Sequence, residues 1–163
     1  YMRFDTIGLN YRMNDISASV ALGQLERIDE IVKNRQTVAK LLIDAMSDCE
    51  WLIPQYVPND CEHSYYTVAA DFLGDTEIGV SWKEFYNKYL QIGGDGFYSI
   101  VAIPYLEPSL RGKLIGNQLC EPGLCPISEG LQKRVMCFKT NYRDLKVAHQ
   151  KAEILNQLIK SYF

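Results

Sequence analysis

The sequence lacks the features that mark a membrane protein or a nucleic-acid-binding protein. No charge-free stretch approaches the roughly 20 apolar residues that a membrane-spanning helix needs; residues 97–106 carry no charge, but Pro104 interrupts them. No block of Lys and Arg is present, and 17 basic against 20 acidic residues give a net charge of −3. This balance argues against binding to nucleic acid or to an anionic membrane, because no basic patch would release counterions.

Cysteine and histidine are too few, and too irregularly spaced, to predict a metal site or a disulfide framework. The five cysteines form an odd set, and the sequence shows no secretory signal pattern. We therefore expect free thiols in a reducing, cytoplasmic setting. The spacings of Cys120-x4-Cys125 and Cys61-x-His63 match none of the paired knuckles of structural zinc, so we predict no metal ligand.

Apolar spacing predicts a helical first third. Residues 1–13 are an irregular lead-in, and the abrupt start Tyr1–Phe4 suggests a piece of a longer polypeptide. Asn14 is a suitable N-cap, and apolar residues then recur at helical spacing over residues 16–46. This run is long for one globular helix, so we expect a bend near residues 27–29 that divides it into two helices.

The remainder alternates strand and helix patterns. Aromatic and β-favouring residues predict strands at 64–72, 97–103 and 135–138. Helices are predicted over 82–91, over 126–133 and from Asp144 onward. With 47% hydrophobic residues in a chain of 163, we predict one α+β fold in which long N-terminal helices pack with a small, mostly antiparallel sheet.

One polar triplet is placed to bind an anion. Asn10, Tyr11 and Arg12 bring an amide, a phenol and a guanidinium just ahead of a predicted helix N-terminus, where backbone N–H groups favour negative charge. The alternative is a tethered loop in which Arg12 forms a surface salt bridge.

A second group of residues could contact a polyhydroxylated ligand. Tyr98, Tyr105 and Glu107 lie on or beside a Pro-bracketed segment, and a tyrosine offers a flat apolar face together with one hydroxyl. His63 is either a hydrogen-bonded structural imidazole or a ligand contact. The run Gly93–Gly96 lacks the Lys-Ser/Thr ending of a phosphate loop, which favours a simple turn.

The stretch Gly8-Leu9-Asn10-Tyr11-Arg12-Met13, followed by a helix that contains Gln24-Leu25-Glu26-Arg27, resembles the DegT-type family of pyridoxal-phosphate-dependent sugar-nucleotide aminotransferases. In that family a Gly-x-Asn-Tyr-Arg-Met loop leads into a helix with Gln-Leu-x-Arg, and a long helix with a central Arg follows, here Arg35. Many members carry Tyr-x-x-Pro-Leu-His farther on. Residues 103–108 here read Ile-Pro-Tyr-Leu-Glu-Pro instead, a departure from the family pattern at the segment that carries its substrate-side histidine.

The resemblance implies a division into three segments of a fold-type I aminotransferase. Residues 1–13 would be a cofactor-facing loop from the end of the large domain, residues 14–50 a long helical connector, and residues 51–163 the small C-terminal α/β domain. The catalytic Schiff-base lysine of the family would lie upstream, because none of the ten lysines here has the matching context. The resemblance therefore implies no catalytic residue in this chain and no activity of the chain alone.

The same resemblance implies the ligands. Pyridoxal 5'-phosphate would be the cofactor, and Asn10, Tyr11 and Arg12 would bind its phosphate across the interface of a homodimer with shared active sites. A nucleotide-linked keto sugar and an amino-acid donor, expected to be glutamate, would be the substrates, although some relatives catalyse dehydration. The residues on the sugar side would be His63, Tyr98, Tyr105 and Glu107. A non-catalytic α+β protein-interaction module, suggested by the missing lysine and the long amphipathic helices, is the alternative.

Overall fold

A computed structural model describes residues 12–163. Two helices, α1 (Asp15–Leu25) and α2 (Ile28–Met46), open this part of the chain and confirm the predicted helical region and its bend. The Asn14 side chain caps α1 by accepting the Ser17 N–H at 2.8 Å. The backbone of Arg27, at φ −118° and ψ 14°, is not helical, and it separates the two helices at the predicted position.

The helix α1 contributes nothing to the core. None of its residues is buried, whereas α2 buries its C-terminal half from Val38 onward. The large apolar side chains on and beside α1 are more than two-fifths exposed. They are Met13, Ile16, Val20, Leu22, Leu25 and Ile28. This exposed apolar helix is the largest departure from ordinary globular packing in residues 12–163.

A three-stranded antiparallel sheet forms the centre of the domain. It contains β1 (Leu52–Pro54), β2 (Thr67–Phe72) and β5 (Val135–Lys139) in the order β1-β2-β5. Alternate residues of β2 and β5 are buried, as expected for a sheet with one face on a core. This geometry confirms the predicted α+β class and the antiparallel sheet.

Helices cover the core face of that sheet. The last helix, α6 (Leu145–Lys160), packs beside α2, and the Asn156 side chain donates to the Ala45 carbonyl at 3.0 Å. A short helix α3 (Gly74–Glu77) follows β2, and α4 (Trp82–Gln91) matches its predicted bounds. Ser81 and Glu84 cap α4 reciprocally, and Phe85 and Tyr89 point into the core.

The remaining elements lie between α4 and α6. They are a 3-10 turn at Pro104–Leu106, a hairpin of β3 (Leu114–Ile115) and β4 (Gln118–Leu119), and the helix α5 (Pro126–Gln132). The strand expected at 97–103 is wrong. Only Tyr98 pairs with β5, opposite Cys137, and in that register residues beyond 100 would face the end of α5 instead of a strand. Ser99 accordingly donates its hydroxyl to the Gln132 carbonyl at 2.6 Å.

The strand expected at 64–72 begins three residues late, at Thr67. Tyr65 has φ +50° and is the only non-glycine residue with positive φ within residues 12–163. This left-handed conformation cannot continue an extended strand, so 64–66 form a loop.

Candidate functional site

The predicted anion-binding triplet lies mostly outside the described part of the chain. Asn10 and Tyr11 are outside residues 12–163, and Arg12 is exposed two residues before the cap of α1. The cap satisfies one backbone donor of the helix, and the N–H groups of Asp15 and Ile16 have no carbonyl one turn earlier in the helix. The structure therefore places one of the three predicted residues beside a helix N-terminus.

His63 is held in a fixed orientation by its neighbours. Its Nδ1 atom accepts the Tyr65 N–H at 2.8 Å, and its Nε2 atom lies 3.1 Å from the Gln55 side-chain nitrogen. The Tyr65 ring lies 4.5 Å from the imidazole centroid. Gln55 in turn accepts the Ala69 N–H through its side-chain oxygen at 2.8 Å, so the imidazole is anchored to the end of the sheet.

A second anchor holds the loop that follows His63. The Arg35 guanidinium donates to the Tyr66 carbonyl at 3.0 Å and to the Thr140 hydroxyl at 3.1 Å. Thr140 is fully buried and donates to the Tyr65 carbonyl at 2.6 Å. The central arginine of α2 thus joins the helix, the loop and the end of β5, which is a structural role that its spacing alone did not reveal.

A polar cleft lies on the same side, between the start of α2 and the loop before β2. Its volume is about 540 Å³. It is lined by Asp29, Val32, Lys33, Gln36, Glu62 and Ser64. Gln36 crosses it and donates to the Glu62 carboxylate at 2.8 Å.

Tyr98 lies at the opposite edge of the sheet from His63. Its N–H and C=O pair with Cys137 at 3.2 and 2.7 Å, and Cys137 is opposite Ala69 in the neighbouring strand. Gln55 continues the same row beyond Ala69, so three strand spacings of about 4.8 Å, roughly 14 Å in all, separate Gln55 from Tyr98. Directly opposed residues share a face, and the Tyr98 side chain is 46% exposed on the face away from the core.

The hydroxyl of Tyr105 is already engaged within the domain. It donates to the Glu129 carboxylate at 2.5 Å and accepts the Cys125 N–H at 3.0 Å. Partial burial and the neighbouring carboxylate raise the pKa of Tyr105 to about 12. Glu107 is exposed, and its carbonyl accepts the Leu110 and Arg111 N–H groups. No hydrogen bond between described residues joins any two of His63, Tyr98, Tyr105 and Glu107.

One charged cluster was missed by the sequence analysis. The Asp95 carboxylate, in the predicted Gly93–Gly96 turn, accepts from Lys139 at 2.7 Å, from Lys151 at 3.1 Å and from the Tyr142 hydroxyl at 2.5 Å. Burial alone would raise the pKa of Asp95, but these donors lower it to about 2. The turn is therefore fastened to β5 and α6, and only the presence of Asp among the glycines could have signalled this.

Within residues 12–163, no group of three or more His, Cys, Asp or Glu side chains is placed to hold a metal ion. Among the helices described, none combines the length and the apolar character needed to cross a membrane.

One known family matches most of the chain. Residues 2–140 match the DegT/DnrJ/EryC1/StrS aminotransferase family, although no curated protein sequence matches the chain. Among solved structures, 3-amino-5-hydroxybenzoic acid synthase is similar at 19% identity and a TM-score of 0.69, over 99% of this chain and 43% of that protein. GDP-4-keto-6-deoxy-D-mannose-3-dehydratase from E. coli, with bound hydrated PLP, is similar at 17% identity and a TM-score of 0.70, over 96% and 38%.

A DegT DnrJ EryC1 StrS aminotransferase from Brucella abortus is similar at 16% identity and a TM-score of 0.70, over 99% of this chain and 39% of that protein. At these identities the likeness establishes the fold. The chain spans about 40% of the length of the solved structures that it matches. Because the family match covers well over half of the chain, this protein belongs to the DegT/DnrJ/EryC1/StrS aminotransferase family.

Proposed function

We propose that this chain is part of a pyridoxal-phosphate-dependent aminotransferase that acts on a nucleotide-linked keto sugar and takes its amino group from an amino acid, glutamate being the expected donor. The observation that carries the proposal is the family match over residues 2–140, which includes the Asn10–Arg12 triplet and ends at the buried Thr140. A similar solved protein with a GDP-linked keto sugar in its name also contains PLP, which supports the choice of cofactor and substrate class.

The donor set at the start of the chain fits a phosphate. Asn10, Tyr11 and Arg12 offer an amide, a phenol and a guanidinium, and Arg12 lies exposed beside the N-terminus of α1, where a phosphate is favoured. Pyridoxal phosphate, when bound, supplies the electron sink for exchange of the amino group. The part of this chain in that chemistry is to neutralise and orient the phosphate, in our proposal across a homodimer interface.

The exposed apolar residues of α1 support a partner at that interface. Val20 and Leu25 are both 64% exposed, and the small residues Ser17, Ala18 and Ala21 beside them allow close approach of another element. A group of large apolar side chains left exposed in this way is typical of an interaction site. We propose that the large domain or the second subunit of the dimer covers it.

The sugar-side residues are proposed from their placement. His63 and Tyr98 are held by the sheet at its two edges, and Glu107 is exposed beside the 3-10 turn. The hydroxyl of Tyr105 is engaged by Glu129, so we assign contact with the sugar to the other three residues. The separation of roughly 14 Å between Tyr98 and Gln55, which holds His63, suits a ligand as extended as a nucleotide sugar.

Replacement of Arg12 by alanine tests the proposal. In the intact enzyme that carries this chain, a lost charge-assisted contact to the phosphate should weaken retention of the cofactor by about 1.5–3 kcal/mol, or roughly 10- to 150-fold. The melting temperature of the cofactor-free enzyme should not change, because Arg12 is exposed. Arg143→Ala, another exposed arginine near a helix start, is the matched control. Unchanged cofactor affinity in Arg12→Ala together with a lower melting temperature would show that Arg12 is structural.

The chain alone gives a second test. Since none of its ten lysines has the family context of the catalytic lysine, we expect no transamination and no borohydride-sensitive yellow absorbance from the 163-residue chain with pyridoxal phosphate. Appearance of that absorbance contradicts the assignment. Binding of neither cofactor nor sugar by the intact protein, together with capture of a protein partner through α1, would favour the interaction module instead.

A further inference from the structure

The excursion formed by residues 104–125 leaves the core after Ile103 and returns at α5. Most of its residues are exposed, and its buried anchors are Cys120, which is 3% exposed, and the preceding Ile103, which is 5% exposed. Two backbone hydrogen bonds close the base of the hairpin. The Gly112 N–H donates to the Cys120 carbonyl at 2.8 Å, and the Cys120 N–H donates to the Lys113 carbonyl at 3.0 Å. Both hydrogen bonds join residues within the excursion, so other contacts must fix its orientation on the domain.

One pair of side chains joins the two ends of this excursion. Tyr105, in the 3-10 turn at its start, donates to the Glu129 Oε1 atom in α5 at 2.5 Å. The same oxygen accepts the Gly123 N–H at 2.8 Å, and the Tyr105 hydroxyl accepts the Cys125 N–H at 3.0 Å. Two side chains thus satisfy two backbone donors on the return limb and bind it to the outgoing limb. We call these three hydrogen bonds the Tyr105–Glu129 clamp.

The clamp is separate from the hydrophobic core. Neither Tyr105 nor Glu129 belongs to the buried cluster or to the half-buried apolar residues packed against it. Loss of the clamp should therefore free the excursion without unfolding the domain, because the sheet and helices that carry the core are untouched. A group that orders a surface segment and adds little to the core is suited to set the geometry of a binding site.

We propose that Tyr105 and Glu129 are positioning residues for the sugar-nucleotide substrate, and this rests on the function proposed above. Glu107 follows the 3-10 turn that contains Tyr105, and its backbone N–H donates to the Pro104 carbonyl at 3.2 Å. The clamp fixes this turn against α5, and the turn fixes the direction of Glu107. Tyr105 acts through the turn, and Glu107 meets the substrate.

The test uses three variants and a control in the intact enzyme. Tyr105→Phe and Glu129→Ala break the clamp, whereas Glu129→Gln retains a side-chain oxygen that can accept both hydrogen bonds. Tyr56→Phe removes a hydroxyl from a tyrosine that is 83% exposed and is the matched control. Hydrogen–deuterium exchange of peptides from residues 104–125 measures whether the clamp orders the excursion. Separate rates for the two half-reactions show whether the sugar nucleotide or the amino-acid donor is affected.

We expect faster exchange in Tyr105→Phe and Glu129→Ala, with KM for the keto sugar nucleotide raised about two- to tenfold, the range that one hydrogen bond supports. The half-reaction with the amino-acid donor should be unchanged, and Glu129→Gln and Tyr56→Phe should resemble the unaltered enzyme. Rescue by Glu129→Gln and the split between substrates are results that general loosening would not produce.

Each other outcome overturns a stated part. Unchanged exchange in both breaking variants shows that the clamp does not order the excursion. Faster exchange with an unchanged KM for the sugar, or with equal damage to both half-reactions, refutes the positioning role. An unaltered enzyme that uses no keto sugar nucleotide overturns the proposed function, and the positioning role with it, while the exchange result still decides whether the clamp exists.

Discussion

Replacing Arg35 by methionine should destabilise the domain by loosening the loop next to His63. Methionine keeps an unbranched stem but removes the donors to the Tyr66 carbonyl and the Thr140 hydroxyl, at 3.0 and 3.1 Å. A hydrogen bond from a charged donor is worth about 1.5–3 kcal/mol. Because Arg35 is only half-buried and shares one nitrogen between both acceptors, the low end applies, and we expect a loss of about 2 kcal/mol in the free energy of unfolding.

Chemical and thermal unfolding measure this loss. For a chain of this size each kcal/mol lowers the melting temperature by about 2–4 °C, so Arg35→Met should lower it by about 4–8 °C. Arg143→Met is the control, because Arg143 is exposed and makes no hydrogen bond or ion pair with any residue in 12–163; its effect should stay within about 0.5 kcal/mol. If the two variants were equally stable, the reasoning that Arg35 fastens the loop would be refuted.

Three further predictions concern pH, association and packing. The pKa of Asp95 is lowered to about 2 in the folded domain, below its unfolded value. The carboxylate therefore contributes about 2 kcal/mol to the free energy of unfolding near pH 5, and this contribution is lost as the pH falls toward 2. Asp95→Asn should flatten that part of a stability–pH curve, and an unchanged curve contradicts the prediction. The 163-residue chain should self-associate in sedimentation across a range of concentrations, and Val20→Glu on exposed α1 should reduce the association; a clean monomer would show that the module closes its own core. Gly94→Ala should be strongly destabilising, because a Cβ there would collide with the ring of buried Tyr89, whereas at Gly23 it meets nothing within 4 Å, so Gly23→Ala in the helix should be neutral or stabilising in a melting experiment.

The elements predicted correctly are those specified by neighbouring residues. The helix α4 follows from Ser81 and Glu84, whose capping box closes within four residues, and from the three- and four-residue spacing of its aromatic side chains. The break between α1 and α2 was likewise predicted from the length of the apolar run. Local signals of this kind do not depend on what packs against them.

The errors arise where the structure depends on distant parts of the chain. Residues 97–103 have strand composition, but beyond residue 100 they would have to pair with residues that precede β5, and those residues form a turn and α5 instead of a strand. The strand β1 and the β3–β4 hairpin have two or three residues each, too few for a periodic signal.

The candidate site shows the same limit. The sequence pointed to Tyr105 as a side chain that could bind a ligand, but its partner Glu129 is 24 residues away, and no spacing rule joins them. Lys139 and Lys151 reach Asp95 from two different elements, so the charge that fastens the glycine turn was also invisible. The roles of Asn10 and Tyr11 stay predictions.

Both edges of the sheet offer few free backbone groups to an incoming strand, and this has a consequence for how the chain would aggregate. Along β1 the backbone groups of Trp51 and Gln55 point toward β2. By alternation, the backbone groups of Leu52 and Pro54 point outward. Proline has no N–H, so Leu52 supplies the one outward N–H of this pair. At the other edge, Tyr98 occupies both groups of Cys137. An incoming strand therefore finds few hydrogen-bonding partners at either edge, and protected edges of this kind are how natural sheets resist strand addition. Aggregation of this chain would then proceed through contacts between helix side chains, and it should yield reversible, helix-rich assemblies instead of cross-β fibres.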